Sequence, residues 1–507
     1  AAPIAKALGP DGITRAIHAV TALPWTTATE HEQVQAVQDQ TATTLTRLLG
    51  AASRQPGGLP PDFATQVVDD PQAAALLFAY ADRARTRYGG DFMHETAAAL
   101  VQRDIRDPAI WQAVTGPPTL TFGTGFDARA AHDPVLAFLR AADNDVASAQ
   151  AVLHDRNLLT YLLTQQPDYL PGRGDATADL LTQATINHAH DAVPDPKHPT
   201  TSTAWLAALI SSQAVQAVAQ KDPLPEVRYA LAGILSTYLP DVDVALRASG
   251  VAPSAPVWDH TGGALLPPGI GPGDKWPQFG PNFAVEDLHR TLAVIGGDEQ
   301  AAKLLATKTA AYTAVLIDHG ADATARALAT GAKDANNAFT TAADRGSQLF
   351  GLVASGLSEG AVGDASATAE QRKKIAEMLL LPTAYLPMDK LGPGAELGNF
   401  LVDQLKEKAT EAYVGDGVNQ AVGQAETDWN AARFALKLQI IESAQAHGLL
   451  PDVTWPKDLT TGQDLPWAKL SGEQQAAVVL ATDKNGLVAD TVTKSTSAMD
   501  NYISQWR

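Results

Sequence analysis

"PEVRYALAGILSTYLPD", residues 225–241, decides how the rest of the chain reads. Val227, Leu231, Ile234, Leu235 and Tyr238 recur at the 3.6-residue period and fall on one face of a helix. Pro225 suits a first turn, where its missing N–H is not needed, and Pro240 comes after the expected end. The same grammar returns along the sequence. In "NDVASAQAVLHDRNLLTYLL", residues 144–163, Asn144 is placed to cap one helix and Asn157 a second. "DEQAAKLLATKTAAYTAVLIDHG", residues 298–320, reads as a helix closed by Gly320, and residues 427–451 as a long helix closed by Gly448 and Pro451. Alternating Val/Ile/Thr segments do not form a series. The expectation is an all-α, multi-helical protein.

Composition agrees. The chain has 507 residues, enough for two to four domains, and 45% of them are hydrophobic. Alanine, the best helix former, is abundant. The formal net charge of −19 repels phosphate backbones and anionic lipid heads, so neither nucleic acid nor a membrane surface is an expected partner. There is no cysteine, which removes disulfides, thiol catalysis and Cys-ligated metal centres. No apolar run reaches the roughly 18 residues of a membrane span. The start, Ala1-Ala2-Pro3, reads as that of a processed product or a piece of something longer.

One stretch breaks the helical pattern. Residues 251–282, "VAPSAPVWDHTGGALLPPGIGPGDKWPQFGPN", are dense in proline and glycine. They divide the chain into an N-terminal helical part, 1–250, and a C-terminal one, 283–507. Trp258, Trp276 and Phe279 argue against a disordered linker, since such linkers are poor in aromatics. These three rings are the predicted partner-binding residues, because rigid aromatics are enriched among interface hot spots. The ordinary alternative is that they dock on the chain's own helices.

Chemical candidates are few. "TINHAHDAVPDPKHPTT", residues 185–201, holds His188, His190 and Asp191, a ligand set that suits zinc or manganese. On a helix, positions 188 and 190 point about 200° apart, so convergence would need a loop or strand. The bland reading is a polar connector between helices, and no metal is expected. "GLSEG", residues 356–360, matches the GxSxG elbow and makes Ser358 the candidate nucleophile, with His447 the one histidine downstream. Against this, Gly346, Gly351, Gly356, Gly360 and Gly363 read as small residues that let helices pack closely. "HETAA", residues 94–98, has Ala98 where a zincin needs its second histidine. No cofactor and no catalytic residue is assigned.

The order of the segments carries a resemblance. "ALGPDGITRAIHAV", "TLTRLLGAASRQPGGLPPDFATQVV", "QAAALLFAYAD", "DPVLAFLRAADNDVASAQAVLHDRNLLTYLL", "PEVRYALAGILSTYLPDVDVAL" and "FAVEDLHRTLAVIGGDEQAAKLL" succeed one another from about Ala5 to Asp318. The series resembles large α-helical actinobacterial proteins linked with WXG-type, type VII secretion contexts. The resemblance implies a helical body, and a secreted or cell-surface location. It supplies no catalytic residues. None of the nine tryptophans begins a WxG, so the hairpin signature that a type VII apparatus reads is not in this sequence. The expected function is a non-enzymatic scaffold that contacts other proteins. The alternatives are a hydrolase or toxin using Ser358 or the His188/His190 pair, and a particle-forming structural protein.

Overall fold

A computed structural model describes residues 1–21, 26–107, 110–111, 130–166, 171–189, 191, 199–247, 257–258, 279–332, 337–360, 430–457, 465 and 470–505. It is a multi-helical, all-α protein, with one two-residue antiparallel ladder among the described residues. The chain forms two compact units, Ala1–Ala230 and Leu231–Arg507.

Among its described residues the first unit holds α1 (Ala2–Thr21), α2 (Ala28–Ser53), α3 (Phe63–Val68), α4 (Pro71–Arg83), α5 (Gly90–Arg106), α6 (Pro134–Asp143), α7 (Val146–Leu153), α8 (Arg156–Thr164), α9 (Arg173–Ala184) and α10 (Thr203–Gln220). Helix α4 is its centre. Every residue from Ala73 to Ala81 is buried, as befits a helix apolar all round that α1, α2, α3 and α6 enclose. Phe78 on α4 meets Phe138 on α6 edge to face at 5.3 Å, and Tyr88 and Phe92 complete the cluster. Each such ring contributes roughly 1.5–3 kcal/mol through burial.

Aspartates start these helices. Asp70, Asp133, Asp145 and Asp155 each accept backbone N–H groups of a first turn, which otherwise lack partners. Asp145 and Asp155 therefore do what the sequence suggested for Asn144 and Asn157. Both pairs are Asx residues one or two places apart, and periodicity alone does not choose between them.

The second unit contains most of α11 (Val227–Thr237), then α12 (Leu239–Arg247), α13 (Val285–Gly296), α14 (Glu299–Ala329), α15 (Asn337–Gly360), α16 (Asn430–Ala446), α17 (Gly472–Thr482) and α18 (Gly486–Gln505). The division falls at 230/231, whereas the sequence suggested 250. Helix α12 belongs to the second unit because Asp243, 1% exposed, pairs with Arg345 of α15. Pro240 follows the end of α11 at Thr237, as expected, and it also occupies the first turn of α12.

Gly320 is not a stop. Helix α14 runs nine residues past it. A Cβ at Gly320 would sit 2.5 Å from Ala342 Cβ, so its role is to let α15 approach. Gly346 and Gly356 act likewise: added Cβ atoms would lie 2.6 Å from Thr313 Cγ2 and 2.4 Å from Leu292 Cβ. The small-residue reading of this stretch is thus visible in the packing, although Gly363 lies outside the described residues.

The antiparallel ladder pairs β1 (Val257–Trp258) with β2 (Phe279–Gly280), placing Trp258 opposite Phe279 in register. Trp276 lies outside the described residues.

Gly356→Ala should lower stability by about 1–3 kcal/mol, the usual cost of overpacking a helix contact. Gly486→Ala, where a Cβ meets nothing within 4 Å, is the control and should leave stability unchanged or slightly raised. Urea unfolding of both variants checks this; equal midpoints would refute the packing role of Gly356.

Candidate functional site

The GxSxG match sits in the wrong local structure for an elbow. Ser358 lies in the last turn of α15, 5% exposed, and its hydroxyl donates to the Ala354 carbonyl at 2.6 Å. A nucleophile elbow needs a strand running into a sharp turn, with the hydroxyl presented at its tip. The histidine brought beside this turn is not the one expected. His447 faces Asp318, with Nε2 2.8 Å from Oδ1. His289 of α13, by contrast, places Nδ1 3.4 Å from Oε2 of Glu359, the neighbour of Ser358. Burial pushes the His289 imidazolium down, and Glu359 works against that shift.

In the described part of the histidine-rich connector, Asp191 holds two partners. Asp191 Oδ2 lies 2.7 Å from His188 Nδ1 and accepts the Thr203 hydroxyl at 2.8 Å. Thr203 opens α10, so Asp191 ties the turn after α9 to the next helix. His190 and His198 lie outside the described residues, and no group of three ligands fit for a metal ion occurs among the described residues. Asp175 sits in the first turn of α9, where left-handed Gly172 takes the cap position. His94 of "HETAA" lies inside α5 and faces Asp155 at 3.4 Å.

The strongest polar constellation carries no sequence signature. Arg173, at the first position of α9 and 1% exposed, reaches two buried carboxylates. Its Nε and one terminal nitrogen donate to Asp133 at 2.7 and 2.9 Å, and the other terminal nitrogen donates to Asp104 at 2.8 Å. Asp104, 1% exposed on α5, also accepts from the Trp111 indole N–H and the Tyr161 hydroxyl. Asp133 caps α6 with the same carboxylate. Burial opposes the charge on Arg173, but the hydrogen bonds and the fields of both aspartates outweigh it and raise its pKa. With its guanidinium held between two buried carboxylates, this group has the chemistry of a lock and offers no vacancy for a ligand.

Lys308 of α14 is the converse case. It is 9% exposed and has no carboxylate partner among the described residues. Burial alone holds its ammonium down at about 8. The first unit also has an open cleft of about 1230 Å³ beside the N-terminus of α5, with Lys6, Arg54, Arg87, Asp91, Glu95 and Asp145 on its walls.

Set against known proteins, the chain matches no family model, no curated protein and no solved structure.

The buried charges generate two expected outcomes. Arg173→Met strands two buried carboxylates and should cost about 3–5 kcal/mol in denaturant unfolding; a loss below about 1 kcal/mol would contradict the lock. For Lys308, the unfolded chain titrates near 10.5 and the folded one at about 8, so between those values the unfolded state binds more protons. Stability contributed by this position is therefore lowest below pH 8 and rises towards pH 10.5. Lys308→Met should exceed the parent at about pH 7 by on the order of 1–3 kcal/mol and converge on it by about pH 10. Parallel pH profiles would show that the amine is solvated.

Proposed function

We propose that this chain is a non-enzymatic helical scaffold that acts by contacting other proteins, as the body of a protein associated with a type VII secretion system. The observation that carries the reading is the β1–β2 ladder. It brings Trp258 and Phe279, twenty-one positions apart, into direct backbone register. Residues 257–258 and 279–280 are thereby held to one another by backbone hydrogen bonds. A loop held at its base gives up less freedom on binding than a free one, and aromatic side chains add contact area at little entropic cost. The chemistry-bearing residues support the same reading. Ser358 and His188 each have a local partner within the helical body, and the buried guanidinium is held by two carboxylates.

The position to test is Trp276. A photo-crosslinking residue placed there should give discrete protein adducts in host cells, and the same residue at exposed Val37 on α2 should not. Trp276→Ala should abolish capture of those proteins while shifting the melting temperature by less than about 2 °C, the shift that a loss of about 1 kcal/mol produces in a unit of this size. A fall of several degrees with capture unchanged would make the segment an internal clasp. For the secretion association, the protein should accumulate outside the cell and stop doing so when the type VII ATPase is deleted; unaltered accumulation would remove that part of the proposal.

A further inference from the structure

We draw no further inference here: the strongest candidate, the open cleft of the first unit between residues 53–63 and the N-terminus of α5, carries cations and carboxylates on the same walls, and nothing in the structure shows what covers it.

Discussion

The first unit depends on a guanidinium out of water. Removing an ion pair from solvent costs several kcal/mol per ion, and only full hydrogen bonding offsets it. Arg173 meets that condition with three bonds to two carboxylates. Each carboxylate in turn has further work: Asp104 receives an indole and a phenol, and Asp133 receives the first turn of α6. The consequence is geometric. Helices α5, α6, α8 and α9 are between 9 and 17 residues long. Isolated helices of that size are marginal in water, so their stability comes from what they pack against. An apolar contact tolerates a shift of register, whereas a bidentate pair does not. Arg173 accordingly sets where these helices stand, and the apolar surface of α4 supplies the driving force.

The second unit reaches order by another route. Its α14 and α15 are 31 and 24 residues long, and they meet through positions without side chains. Close backbone approach increases dispersion contact along the whole interface and penalises any added methylene. Charge enters here too, through pairs such as Asp243 with Arg345 and His447 with Asp318. Lys308 marks a position in α14 where a buried cation stands without a carboxylate partner among the described residues. A saturated polar lock is thus the prominent device of the first unit, and close helix approach at glycines that of the second.

The range of each signal decides how much of this is legible in the sequence. Helix period and flanking prolines are local, so residues 227–237 and the all-α class can be read directly. Gly448 is legible for the same reason; it takes a positive φ just past α16. Gly320 reads wrongly as a stop, because a glycine that ends a helix and one that admits a neighbour look identical in one dimension. The GLSEG match fails similarly, since five residues do not say whether a strand precedes them. The Arg173 lock is beyond reach: its partners lie 40 and 69 positions away, and single aspartates with no nearby pattern announce nothing. Its one weak hint is an arginine opening a helix after Gly172, where a cation opposes the dipole and needs compensation. Of the predicted contact residues, Trp258 and Phe279 stand out by their chemistry, and their pairing comes only from the fold.

That pairing bears on how the molecule can vary. Once residues 257–258 and 279–280 are hydrogen-bonded, the ends of the intervening stretch are fixed by the ladder, whatever its length. Closure entropy grows only logarithmically, so doubling such a stretch adds about 0.6 kcal/mol. The ladder therefore tolerates a longer enclosed stretch at little cost to its own closure.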